Sequence, residues 1–440
     1  MSQLQDLLKF ELLESMSVNR VFWRKALLVF SILGITCSNF VSANAFVPNL
    51  TINELPQVLI RNQSVRLTGT VNGVCVNHRV NVNRNTNGKW KSLGSVASQS
   101  GKWRFDTSSP NSNGVVIFKV TCGGQYPATL VRPVVQGAPI TPRGPGNRIF
   151  GLDISRWQHI PGKNINFADM AAAGASFVII KASDGTRTED AIARRYVLED
   201  AHDAKIAGLI VGYYHMVSVP TNNSTETLVA SAKRQASLAA TRLNELGGYD
   251  NRTLPYTIDM EGINSNVTQS SLFIWTKTFI DNFVAKTDRT PIIYSYRSFL
   301  ATRYAKKTSV RDYLRKSHLW LAQPGNPADP KVKVGGLTYG GNDCFHTAWT
   351  VSSCQSVWTF WQYTSRGNRD KLGIPWHPQK GKSCPSQAKL CSSGVGTGPL
   401  HLDLNVFNGT KQQLLGLTAG LWNRSPADYS DVSPTPSASQ

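Results

Sequence analysis

Tyr256-Thr257-Ile258-Asp259-Met260-Glu261 is the stretch from which the fold is read. Tyrosine, threonine and isoleucine favour a pleated, packed backbone, and a short apolar run that stops at two carboxylates fits a buried strand delivering polar groups to its end. Similar runs recur on both sides: Ile149 to Asp153, Phe177 to Lys181, Leu209 to Tyr214, Ile292 to Tyr294, Leu319 to Ala322, Val357 to Phe360 and Leu400 to Leu404. With the starting segment they make eight. Helical candidates fill the first connections, at Phe167 to Ala173, Ala191 to Ile206, Thr225 to Leu246 and Ser270 to Lys286. Strands alternating with helices predict parallel βα units, and eight of them predict a closed α/β barrel, TIM-like but irregular. The last three intervals show no clear helix, so the barrel is expected to be helix-poor there.

This barrel accounts for residues 148–422. Before it, residues 46–135 alternate short β-rich runs (Ser64 to Val71, Val74 to Val82, Lys102 to Asp106, Val115 to Cys122) with turns such as Asn72-Gly73 and Asn87-Gly88. That spacing predicts a small all-β, immunoglobulin-like sandwich with a binding or spacer role. Residues 136–147 hold prolines and glycines in the proportion of a linker, and residues 423–440 read as a disordered tail.

Residues 1–45 read as a secretory signal: Arg20, Arg24 and Lys25, then the apolar run Ala26 to Thr36, then a small-x-small exit ending at Ala45. The long stretch before Arg20 suggests Met16 as an alternative start and leaves an uncleaved anchor as the competing reading. A secreted or periplasmic protein without stable membrane insertion is expected. Removing Cys37 with the signal leaves six cysteines, whose distribution favours three local pairs: Cys75 with Cys122, Cys344 with Cys354, and Cys384 with Cys391. Clustered zinc-type spacing is missing, so neither a metal nor a cofactor is expected. The formal charge of +20 calls for an anionic partner. Basic pairs such as Arg194-Arg195 and Lys306-Lys307 are spread through a folded region rather than gathered in a stripe, which disfavours nucleic acid and fits anionic cell-wall polymers.

Parallel barrels gather their chemistry at the C-terminal ends of the strands. Those ends carry Asp153, Lys181 with Ser183 and Asp184, Tyr213 to His215, Asp259 with Glu261, Tyr294, Gln323, Gln362 and Asp403. Carboxylates beside aromatic and amide side chains suit a sugar site. Asp259 and Glu261, two residues apart on an extended strand, point to one face with Cα atoms about 6.6 Å apart. At that distance each raises the other's cost of ionisation, so one can stay protonated as a general acid. Glu261, nearer the strand tip, suits the acid, and Asp259, one pleat deeper, suits orientation or charge stabilisation.

These residues also carry a resemblance. Phe150-Gly151-Leu152-Asp153-Ile154-Ser155 with Trp157-Gln158, Phe177 to Ala182, Gly212 to His215, Tyr256 to Glu261, Pro291 to Tyr294, Leu319 to Gln323, Trp358 to Tyr363 and Leu402 to Phe407 resemble, in order, the strand motifs of glycoside hydrolase family 25 lysozymes. The resemblance implies an N-acetylmuramidase that cuts the β-1,4 bonds of peptidoglycan glycan strands, with Glu261 as general acid. It further implies that Asp259 assists the substrate's acetamido group as internal nucleophile, flanked by Asp153 and Asp403. Tyr213, His215, Tyr294, Gln323, Gln362 and Lys181 are the candidate substrate-positioning residues. The sequence departs from the family pattern in two inserts, between Gln323 and Val357 and between Gly367 and Leu400; both bear cysteines.

Two other functions compete. A chitinase-like motif would carry aspartates two and five residues before Asp259, where Thr257 and Leu254 stand. A catalytically silent wall-binding adhesin would not need the Asp-x-Glu pair. Ser386 and Lys389 have S-x-x-K spacing without partner motifs, which fits chance.

Overall fold

The computed structural model describes residues 50–123, 125–304, 307–322, 348–349, 358–376 and 402–422. Residues 1–45 and 423–440, Gln323, and Cys344, Cys354, Cys384 and Cys391 lie outside them.

Eight strands close into a barrel: β1 (Arg148–Ile154), β2 (Phe177–Asp184), β3 (Ile210–Met216), β4 (Thr257–Asp259), β5 (Ile292–Tyr296), β6 (Leu319–Ala322), β7 (Phe360–Thr364) and β8 (Asp403–Phe407). Each of β1 to β6 runs parallel to the next, as expected. The eighth does not. β8 is antiparallel to both β7 and β1, a correction to eight parallel units. A parallel return needs a crossover, usually helical, whereas an antiparallel one does not. The reversal has a consequence for the site, because the start of β8, not its end, lies on the rim that receives the ends of the other strands.

Helices follow the early strands: α1 (Phe167–Ala172), α2 (Arg187–Ile206), α3 (Thr225–Glu245) and α4 (Gln269–Thr287). Among the described residues three further helices are present: α5 (Arg297–Arg303), α6 (Thr308–Leu314) and α7 (Lys411–Ala419). In α3, Ser224 caps the first turn by accepting from the Thr227 N–H, and the inward stripe Leu228, Ala232, Ala236, Ala239 and Leu243 is mostly alanine. The large rings come from α4, where Trp275, Phe279 and Phe283 are fully buried and stacked. Each such ring contributes roughly 1.5–3 kcal/mol by leaving water.

Strand parity separates two apolar layers. Ile149, Phe177, Ile179, Ile210, Ile292, Tyr294, Trp320, Phe360 and Phe407 fill the barrel, while Leu152, Val178, Ile180, Val211, Ile258, Ile293 and Leu321 meet the helices. Gly151 belongs to the inner set, and a Cβ there would lie 2.4 Å from Phe177. The inner parity of β1 then ends in Asp153.

The N-terminal module is a sandwich. One sheet has the order Leu59–Ile60, Gln125–Val135, Gly114–Cys122, Val80–Thr86, Lys89–Val96, and the other pairs Ser64–Thr70 with Lys102–Ser108. Val65, Leu67, Val80, Val82, Val116, Phe118 and Val120 form its core. Cys75 is bonded to Cys122. The expected strand from Val74 instead opens as a 3-10 turn, Gly73–Asn77, so the disulfide ties a turn to the larger sheet rather than one sheet to the other. Residues 136–147 lie along the barrel: Pro142–Gly144 pairs with β1, and the Ala138 N–H donates to Gly208 O at 2.7 Å. Among the described residues no helix is long and apolar enough to cross a membrane.

Candidate active site

The strand ends surround a cleft of about 910 Å³ whose lining includes Asp153, Asp259, Glu261 and Asp403. Each arrives by the inner parity of its strand. The ladder of β4 ends at Asp259, but the Met260 N–H still donates to Tyr294 O at 2.9 Å and Met260 O accepts from Ser295 Oγ at 2.6 Å. Those bonds keep the backbone extended, so Met260 turns outward into the helix layer and Glu261 turns inward. From β8, Asp403 stands opposite Asp153 in the antiparallel register.

Asp153 is held by two amides. Its Oδ2 accepts from Gln362 Nε2 at 3.0 Å and from Asn405 Nδ2 at 2.7 Å. Gln362 Oε1 accepts from the Tyr294 hydroxyl at 3.1 Å, and Asn405 Oδ1 accepts from Trp320 Nε1 at 2.7 Å. Because indole N–H can only donate, the Asn405 amide has one orientation, with its NH2 toward Asp153. Tyr294 and Trp320 are themselves in edge contact, 4.5 Å between centroids. Asp259 is the contrast. It is buried, and its Oδ1 has no hydrogen-bond partner among the described residues.

Burial raises the pKa of every member of the set. For Asp153 the nearby Asp403 adds to the rise and the Asn405 and Gln362 bonds oppose it. For Asp259, pushed well up, Glu261 adds and Lys181 opposes. Glu261 is raised by burial against Lys181, and Asp403 is lifted to about 6 by burial and Glu261 against the pull of Arg369. Burial and like charge thus both disfavour ionising all four carboxyls together. Lys181 Nζ is paired with Asp184 Oδ2 at 2.7 Å, and Asp184 also accepts from the Thr186 N–H and hydroxyl.

Of the candidate positioning residues, Lys181, Tyr294 and Gln362 line the cleft. Tyr213 and His215 do not, which corrects their assignment. Both have the outward parity of β3, and Tyr214 between them faces the cleft instead. His215 is fully buried behind the barrel wall, with Nδ1 2.9 Å from Ser183 Oγ and Nε2 3.0 Å from Gln235 Oε1, and burial lowers its pKa to about 4. Its neutral ring serves packing. Sequence reasoning passed over Trp157, Trp320, Arg369 and Asn405. Asn405 was the most accessible of these, since it stands two residues from Asp403 just as Glu261 does from Asp259.

An α/β barrel with acidic side chains on the rim, one pair fixed two residues apart and one carboxyl locked by amides, defines a glycoside hydrolase. Residues 152–372 match the model of glycosyl hydrolases family 25, and the chain belongs to that family. It is 28% identical over 277 residues to lysozyme M1 of Streptomyces globisporus, covering 61% of this chain and 71% of that one. It is 34% identical over 157 residues to an N,O-diacetylmuramidase of Chalaropsis sp., covering 34% of this chain and 67% of that one. Among solved structures, the spore cortex lytic enzyme SleM of Clostridium perfringens aligns over 60% of this chain and 68% of its own, with 19% identity and a TM-score of 0.39.

Proposed function

We propose that the protein is an N-acetylmuramidase that hydrolyses the β-1,4 bond between N-acetylmuramic acid and N-acetylglucosamine in peptidoglycan. The observation that carries this reading is the Asp259–Glu261 pair, both members in one cleft, in a chain whose family relatives are named lysozyme and N,O-diacetylmuramidase.

Glu261 is the more exposed of the pair, and burial raises its carboxyl, which favours the protonated form that a general acid needs. It protonates the glycosidic oxygen as the bond to C1 breaks, and the acetamido oxygen of the same sugar closes on C1 to form a cyclic oxazolinium. Asp259, with an unpartnered Oδ1, accepts the acetamido N–H and stabilises the positive ring. Burial and Glu261 disfavour the charged form of Asp259 that this role needs, and Lys181 opposes them. Water then attacks C1, Glu261 takes its proton, the ring reopens, and the sugar leaves with its anomeric configuration retained. Asp153 and Asp403 shape the floor of the subsite, and Tyr214, Tyr294 and Trp320 offer aromatic faces to the pyranose. Export directed by residues 1–45 brings the enzyme to its polymer, and the surplus of positive charge holds it near anionic wall components.

The test is to incubate the full chain with purified peptidoglycan and look by mass spectrometry for new muramic acid reducing ends. Intact glycan strands accompanied by tight co-sedimentation favour a silent wall-binding protein and sink the hydrolase.

A further inference from the structure

Five carboxylates and three cations line the cleft. Lys181 bridges to Asp184 at 2.7 Å, and Arg156 bridges to Glu189 at 3.0 Å while its guanidinium lies 4.4 Å from the Trp157 ring. The third, Arg369, comes from the segment after β7. Its side chain is fully buried, a rare condition for arginine. The guanidinium donates through Nη1 to Pro375 O and through Nη2 to Trp157 O, both at 3.2 Å. Its own backbone is pinned as well, since the Leu372 and Ile374 N–H groups both donate to Arg369 O. Gly373 O, in the same turn, accepts from the Asn166 N–H at 2.7 Å, at the start of α1.

We propose that Arg369 is a positioning residue of the active cleft: it fastens the Trp157 turn to the wall formed after β7 and sets a fixed positive charge against Asp403. Asp403 shares the cleft with Asp153 from β1, Lys181 from β2, Tyr214 from β3, Asp259 from β4 and Glu261 just after it, Tyr294 from β5, and Arg156, Glu189 and Arg369. Burial and the neighbouring Glu261 disfavour a charged Asp403, and the Arg369 guanidinium favours it. Arg369 thereby decides which carboxyl of the Asp153–Asp403 pair carries the negative charge, and it keeps the Trp157 wall in register with that charge. This inference rests on reading the cleft as the hydrolytic site.

The experiment compares Arg369→Gln, which keeps hydrogen-bond donors and removes the charge, with Arg369→Lys, which keeps the charge. In the full chain labelled with 13Cγ-aspartate, the Asp403 resonance is identified by its loss in Asp403→Asn and titrated by NMR; thermal melts confirm folding. Arg369→Gln is expected to move the Asp403 midpoint upward by about one pH unit, the scale set by a neighbouring opposite charge, and to shift the acid limb of glycan hydrolysis the same way. Arg369→Lys is expected to restore both. An unchanged midpoint in folded Arg369→Gln, or an equal shift in both variants, overturns the proposal. Should Arg369→Gln not fold, an upward shift in Arg369→Lys matching that of Arg369→Met overturns it, and a normal midpoint in Arg369→Lys supports it. The titration does not depend on turnover, so a wild-type chain inert toward peptidoglycan defeats the proposed function and leaves this result readable.

Discussion

Asp403 stands directly across from Asp153 in the antiparallel register of β8 and β1, although 249 residues separate them and each is the rim residue of its strand. Residues paired in this way have Cβ atoms about 5 Å apart, close enough for like charges to repel. An eighth parallel strand would have carried Asp403 to the opposite end of its ladder. The reversal of β8 is therefore what completes the acidic site.

Glu261→Gln removes the proton donor while keeping shape. Turnover on purified peptidoglycan is expected to fall about a hundredfold to ten-thousandfold, with co-sedimentation onto the polymer preserved. Substantial residual release of reducing ends would move the acid to another carboxyl.

Asp403 has a pKa near 6, above its ordinary value of 3.8. A raised folded-state value means that the native protein favours the protonated form. Its stabilising contribution is complete below the unfolded value and is lost as pH rises through about 6. Asp403→Asn is thus expected to raise Tm at pH 8 and leave it unchanged at pH 4 in calorimetric scans. Equal changes at both would show that packing, not ionisation, governs this position.

Asn405→Ala strips Asp153 of one of its two amide donors and leaves the Trp320 indole N–H without its acceptor. A loss of roughly 1–3 kcal/mol is expected from the unsatisfied buried groups, read as a lower urea midpoint, together with lower turnover. Retained stability and activity would mean that the network is dispensable.

Tyr214 and Tyr213 separate the two faces of β3. Tyr214→Ala is expected to raise KM or lower kcat by tenfold or more, about 1.4 kcal/mol of lost contact. Tyr213→Phe is expected to stay within about twofold of wild type, because its ring lies in the helix layer. Reversed sensitivities would mean that the parity assigned to β3 is wrong.

The Cys75–Cys122 bond closes a loop with a sequence separation of 47. Removing it with a Cys75→Ala, Cys122→Ala pair is expected to cost the sandwich about 4 kcal/mol on the chain-entropy account. Limited proteolysis should then cut within residues 50–135 while the barrel fragment survives. Unchanged resistance would show that the core of the module suffices.

Sequence alone determined a good deal of this protein. Short apolar runs ending in polar residues marked all eight barrel strands, although β7 and β8 begin about three residues later than their runs. The Asp259–Glu261 spacing placed two carboxyls on one face, because a two-residue period is a local property of an extended chain. Four helices were legible in the connections between the early strands, and Cys75 with Cys122 from being the one cysteine pair in its module. What sequence did not decide was which way each strand's residues face. Barrel strands are buried on both sides, so apolar residues fill both parities and Tyr213 could not be told from Tyr214. Nor did it show the direction of β8, which depends on how a distant segment returns to pair with β1. Only the closed barrel opposes Asp403 to Asp153, brings Asn405 and Gln362 onto the same carboxylate oxygen, and sets Arg369 beside them, because those contacts span up to 252 residues of chain.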